Sequence, residues 1–129
     1  MIYLADVNLL LALGWAHHTD HKKARAWLNG LTRVDRLATC AVTELGFVRI
    51  SLQPVFGSAD IATAKKMLAH LRTVRPGHAF LADALGVDAL PSWVKTAKQT
   101  TDGHLAALAA AHGATLATLD SGIPGAALL

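Results

Sequence analysis

Four carboxylates in this chain of 129 residues are placed where they can do chemistry: Asp6, Glu44, Asp102 and Asp120. Asp6 ends the apolar run MIYLA, which passes at once into a helical VNLLLAL, and Asp120 repeats the pattern at the end of ATLATL. Glu44 and Asp102 lie near the starts of two other apolar helices. Taken singly, each has a structural explanation: Asp6 and Asp102 as helix caps, Asp120 as a turn former before Ser121 and Gly122, and Glu44 as an acid in a first helical turn, where the dipole favours it. Glu44 is the hardest to leave there. It is the only Glu of the chain, its helix is apolar nearly all round, and Arg49, five residues on, sits roughly 140° away around the helix. A carboxylate buried in that setting needs a cation from elsewhere. Four converging carboxylates would repel one another, and the hard oxygen donors suit a divalent ion such as Mg2+ or Mn2+ as counter-charge. Acting on a phosphodiester, such ions activate an attacking water and stabilise the leaving oxygen, which is hydrolase chemistry.

The elements that must position these residues alternate between strand and helix. The first strand and its helix are followed by an amphipathic helix, started by Thr19 or Asp20, with Ala24, Trp27, Leu28 and Leu31 inward and Lys22, Lys23 and Arg25 outward. A second strand is expected at 36–39, and a helix AVTELGFVRISLQ, begun by Thr39 or Thr43, is stopped by Pro54. Ser58 is expected to cap the next helix, with Ile61, Ala64, Leu68 and Leu71 buried and Arg72 near its C-terminal end. Pro76-Gly77 turns the chain into a short strand at 78–82. Residues 83–100 carry no clear periodicity. A helix at 101–112 with Gly113 as left-handed C-cap, a strand at 114–119 and a last strand at 126–129 complete the series. This alternation predicts one α/β domain over 1–129, with a mainly parallel central sheet and helices on both faces. Ligands of such sheets bind beyond the carboxyl ends of the strands, where Asp6 and Asp120 project.

Composition sets the remaining bounds. An apolar share of 53% is enough for one core. The net charge of +3 permits contact with a polyanion without demanding it. The single Cys40 rules out an internal disulfide or thiolate zinc cluster, and reads as a small packed hydrophobe compatible with the cytoplasm. Asp6 interrupts the apolar N-terminal run, which lacks a basic start, so neither a secretion signal nor a membrane span is expected.

Taken together, DVNLLLAL, TELGFVR, TDGHLAALAAAHG and ATLD, in that order along nearly the whole chain, closely resemble the PIN-domain toxins of the VapC family. The run WAHHTDHKKARAWL is similar to a bacterial subgroup with a His- and Trp-containing second helix. The resemblance implies a PIN fold and a Mg2+- or Mn2+-dependent endoribonuclease, the toxin of a type II toxin–antitoxin pair acting on RNA such as tRNA or rRNA. It also implies inhibition by a cognate VapB-like antitoxin, and a homodimer. It assigns Asp6, Glu44, Asp102 and Asp120 as catalytic and metal-binding, with Asn8 and Thr118 orienting them. It says nothing of Asp83 and Asp88. Arg49 is a candidate phosphate clamp, and His104, two residues and about 200° from Asp102 on a helix, a candidate substrate contact. His17, His18 and His21 are close in sequence but lack Cys or Glu partners for a metal site. Two other readings compete: a PIN module that binds RNA or protein without cutting, and an aspartyl phosphotransferase or phosphatase using Asp6. The second wants a lysine beside the later acids, and the nearest is Lys98.

Overall fold

The computed structural model describes residues 1–56 and 59–129. Five parallel strands form one sheet: β1 (Ile2–Ala5), β2 (Arg36–Cys40), β3 (Ala79–Leu81), β4 (Thr115–Thr118) and β5 (Ala127–Leu128), in the order β3-β2-β1-β4-β5. Side chains alternate across it with the period of two that a strand imposes. Ala5, Leu37 and Ala117 face one core while their neighbours Leu4, Ala38 and Leu116 face the other. The first core is closed by α1 (Val7–Gly14), α2 (His21–Asn29), α3 (Ala41–Ser51) and α4 (Ile61–Leu71), which contribute Leu9, Leu28, Phe47 and Leu68. The second is closed by α5 (Thr100–Ala111) through Leu105, Leu108 and Ala109. Helices therefore cover both faces, as the alternation of elements predicts.

The chain leaves β1 for β2 and β3 on one side, then returns to place β4 on the other side of β1. The strand order thus reverses on either side of β1, and the space beyond the carboxyl ends of β1 and β4 is where sheets of this kind bind ligands. Asp6 and Asp120 follow these two strands.

Local starts and stops match the sequence in part. Gly113 has φ of 65° after α5, and Gly77 has φ of 75° in the Pro76-Gly77 turn; both are positions that a side chain would strain. The expected cap Ser58 lies outside the described residues. The helix begins at Ile61 instead, and Asp60 caps it by accepting from the Thr63 amide at 2.7 Å. Cys40 holds the cap position of α3, where the Thr43 hydroxyl accepts from its amide at 3.0 Å. Thr39 is left free for another partner. Asp20 precedes α2 but makes no side-chain cap bond. Residues 83–100, unreadable by period, run mostly without regular structure through short 3-10 turns at Val87–Ala89 and Ala97–Gln99. They lie close against α5: a Cβ at Gly103 would come within 2.3 Å of Val94 Cγ2. Among the described residues no helix is long and apolar enough to cross a membrane.

Candidate active site beyond the carboxyl ends of the central strands

Asp6 is a helix cap whose second oxygen has a partner of its own. Its Oδ1 accepts from the Val7 amide at 2.7 Å at the start of α1, and its Oδ2 accepts from the Thr118 hydroxyl at 2.7 Å. Only 7% of the residue is exposed. Burial pushes its carboxyl above the usual range and the charge of Asp120 adds to this, while the two hydrogen bonds pull the other way.

Thr118 and Asn8 hold this corner together. The Thr118 hydroxyl has one proton, which the 2.7 Å contact assigns to Asp6, and it accepts from the Asp120 amide at 3.0 Å and from Asn8 Nδ2 at 3.3 Å. Asn8 Oδ1 in turn accepts from the Leu119 amide at 3.2 Å. The start of α1 is thereby laced to the end of β4. Asp120 itself is exposed, with Oδ1 on the Gly122 amide at 2.9 Å, the turn its sequence context predicts.

Asp102 reaches the same place from the other core, in the first turn of α5. Its carboxyl is pushed up first by burial, then by the charges of Asp6 and Asp120, and Lys98 offsets part of this. No hydrogen bond contributes. Three aspartates from β1, β4 and α5 therefore form one set of like charges, and two of them are held above their ordinary range.

Glu44 has a different environment. Arg72, 28 residues away at the end of α4, donates from Nε to Oε2 at 3.3 Å and from an amino group to Oε1. The Thr39 hydroxyl donates to Oε2 at 2.6 Å and is hydrogen-bonded to His78 Nε2 at 2.9 Å. Burial and the charge of Arg72 hold the His78 imidazole below its ordinary range. The cation that a carboxylate in an apolar helix requires is thus Arg72, a residue whose sequence context suggests only a favourable charge at a helix end. Sequence spacing between α3 and α4 carries no sign of this pairing.

Of the other expected residues, Arg49 is exposed. The ring of His104 is taken by Asp83 Oδ2 at 2.5 Å, and Asp83 also accepts from the Leu85 amide at 3.0 Å. That bond to His104 holds the Asp83 carboxyl below the usual range. His104 and Asp83 therefore fasten α5 to the segment after β3. Asp88 lies in the short turn Val87–Ala89. Beside Glu44 and Arg72 a groove of about 640 Å³ runs between α3, α4 and β3, with Leu45, Val48, Leu68 and Phe80 on its walls and Lys65 at its rim.

The raised carboxyls fix a pH dependence. A carboxyl whose folded pKa exceeds its unfolded value binds extra protons in the folded state, so its stabilising contribution is full below the unfolded value of 3.8 and is lost as pH rises through the folded one. Cation-free Asp102→Asn is therefore expected to gain on the wild type as pH rises, with the gap in melting temperature closing in acid. Asp35, Asp60, Asp83 and His78 shift downward and lose their contributions in acid, but they do so in both proteins and cancel. Melting curves of the pair from pH 4 to 8 check this; a gap independent of pH would contradict it.

The sequence matches the PIN domain family over residues 3–128. It is 44% identical over 124 residues to Ribonuclease VapC38 of Mycobacterium tuberculosis, covering 93% of this chain and 86% of that protein. It is 40% identical over 128 residues to Ribonuclease VapC44 of the same organism, covering 93% and 87%. The solved structure of VapBC2 from Rickettsia felis bound to a DNA fragment from their promoter contains a chain of the same fold. That chain has a TM-score of 0.67 at 17% identity, covering 100% of this chain and 98% of that one. With the parallel five-stranded sheet, a family match over residues 3–128 and relatives matched over most of their length, the chain belongs to the PIN domain family and stands among its VapC members.

Proposed function

We propose that this chain is a divalent-cation-dependent endoribonuclease and the toxin of a toxin–antitoxin pair. The observation that carries the reading is that Asp6, Asp102 and Asp120, contributed by three different parts of the chain, act on one another as like charges, with only Lys98 offsetting them at Asp102. The donor set fits Mg2+ or Mn2+: all carboxylate oxygen, with Asp102 free of hydrogen bonds and one oxygen of Asp120 uncommitted. Among the described residues no three potential ligands already stand close enough to share an ion, so side chains must close in for binding. Asp6, Asp102 and Asp120 would hold the cation, with Glu44 at its margin. A cation bound there lowers the pKa of an attacking water and neutralises charge on the phosphate.

The chain's own groups do the rest. Thr118 holds the Asp6 carboxylate by one oxygen, and Asn8 fixes the corner against β4. An aspartyl phosphotransferase needs a nucleophilic oxygen free at Asp6, whereas both oxygens are hydrogen-bonded and the residue is buried. A PIN module that binds without cutting has no need of an unneutralised acidic set, which costs stability. Relatives named as ribonucleases support RNA as substrate, and the likeness to one chain of a VapBC2 complex supports an antitoxin partner. Homodimerisation belongs to the same reading, and apolar side chains left at the surface, such as Leu45 and Phe80, suit protein contact.

Chelation tests the reading. Treatment with EDTA is expected to abolish RNA cleavage, and Mg2+ or Mn2+ added in excess to restore it, with fragment ends read on a gel. Cleavage that continues unchanged in EDTA would remove the cation from the account.

A further inference from the structure

The start of α5 faces two ways. Asp102 feels the charges of Asp6 and Asp120, whereas Thr100, Thr101 and His104 line a pocket of about 320 Å³. Its other walls are Val42, the second residue of α3, and Val87 and Leu90 from the segment after β3. Thr101 and Asp102 are consecutive, so their Cα atoms stand about 3.8 Å apart and their side chains diverge by about 100° around the helix. The pocket and the aspartate set therefore adjoin across the first turn of α5. Gly103 lets the wall come this close: a Cβ there would lie 3.6 Å from Leu90 Cδ2 and collide with Val94.

The lining selects the occupant. Three aliphatic side chains form the walls, and Val87 is 79% exposed, an apolar surface turned to water rather than to the core. No Lys or Arg lines the pocket, so it offers a phosphate no counter-charge. Asp83 fixes the His104 ring through Nε2. The Thr100 hydroxyl donates to the Ala97 carbonyl at 2.8 Å, while that of Thr101 has no protein partner among the described residues. Apolar walls with one free hydroxyl suit a flat, uncharged group that has hydrogen-bonding edges. The volume is at the low end of the range for small-ligand sites, about 300–1,000 Å³, which is room for one ring system rather than a length of chain. Single-stranded RNA supplies such groups, because its unstacked bases turn out into protein pockets. We propose that this pocket receives one base of the RNA, that of a nucleotide flanking the cut, with the aliphatic walls against its faces and Thr101 hydrogen-bonded to its edge. The proposal rests on the ribonuclease reading above and specifies its substrate: an unpaired strand, read at one base beside the phosphate held by the aspartates.

The test uses the full chain with Mn2+ and a short single-stranded RNA whose cut position has been mapped. An abasic ribose at one of the two nucleotides flanking the cut is expected to lower kcat/KM by about tenfold, the scale of an apolar pocket left unfilled, and at the other by less than about twofold. Val87→Ser, at an exposed position, is expected to shrink the larger penalty below about threefold, because the wall that the base rests on is gone. Thr101→Val keeps the shape without the hydroxyl. It should level the preference among the four bases at that nucleotide while the abasic penalty stays. Wild-type protein that cuts the abasic and intact strands equally fast overturns the proposal and leaves the pocket to a protein side chain. A penalty that Val87→Ser leaves unchanged, or a base preference that survives in Thr101→Val, overturns it too. In each of these cases cleavage that still requires Mn2+ keeps the cation reading intact. Cleavage of the intact strand that persists in EDTA overturns the cation site itself, and the proposal with it.

Discussion

Asp102→Asn is expected to abolish RNA cleavage, by at least about 10³-fold, while the cation-free protein melts at a higher temperature than the wild type. The two halves of this result have one cause. Asp102 is pushed up by burial and by Asp6 and Asp120, and no hydrogen bond to its carboxylate opposes this. Asparagine keeps the shape, removes the repelled charge and breaks no bond, so the fold gains while the cation loses a ligand. Asp6→Asn should lose activity as fully but gain less in stability. Its Oδ2 accepts the Thr118 proton, and an amide nitrogen placed there would face a hydroxyl that already accepts from Asp120 and Asn8. Glu44→Gln should instead lower the melting temperature, because it leaves the Arg72 guanidinium without its counter-charge. A nuclease assay beside calorimetric melting curves separates the three. Wild-type cleavage by Asp102→Asn would sink the assignment of the aspartate set as the active centre.

What the sequence displays and what it hides divide along the range of the interactions. Asp6 and Asp120 are legible because each ends an apolar strand, and a parallel sheet puts strand ends on one edge whatever the details of packing. Gly113 is legible because a left-handed C-cap is a local backbone demand that only a few residues meet. The bond from Arg72 to Glu44 spans 28 residues and two helices, and no spacing rule extends that far. Thr39 illustrates the same limit at close range. Its position suggests a helix cap, but Cys40 and Thr43 cap α3 between them, and the freed Thr39 hydroxyl turns to Glu44 and His78. Residues 83–100 have no period because they form no long element. Their contacts, such as Asp83 on His104 and Val94 over Gly103, are set by the helix they cover. The partner of His104, Asp83, comes from 21 residues away, and no spacing on α5 announces it.

The positions of the histidines carry the last expected result: cleavage survives when the 2′-hydroxyl at the cut nucleotide is replaced by hydrogen. A ribonuclease that works without a cation uses paired acid–base groups, usually histidines, to make that hydroxyl attack its own phosphate. Five of this chain's seven histidines are engaged in other work. His18 Nδ1 accepts from the Asp20 amide, and His21 Nδ1 meets the Ala12 carbonyl. His78 bonds Thr39, His104 bonds Asp83, and His112 Nε2 meets the Ala82 carbonyl. Of the other two, His17 packs against Trp15 and Phe56, and His70 lies in the last turn of α4. None of these contacts pairs two histidines beside Asp6, Asp102 and Asp120. With no histidine pair so placed among the described residues, the proposed attacking group is water, and the products are expected to carry a 5′-phosphate and a 3′-hydroxyl. An RNA of fixed sequence with a single deoxynucleotide at the cut site is then cleaved within a few fold of the all-ribose strand, and end-group analysis finds no cyclic phosphate. A block at the deoxy position, with cyclic phosphate ends on the ribose control, would show that the 2′-hydroxyl is the nucleophile and that the aspartates serve some other purpose.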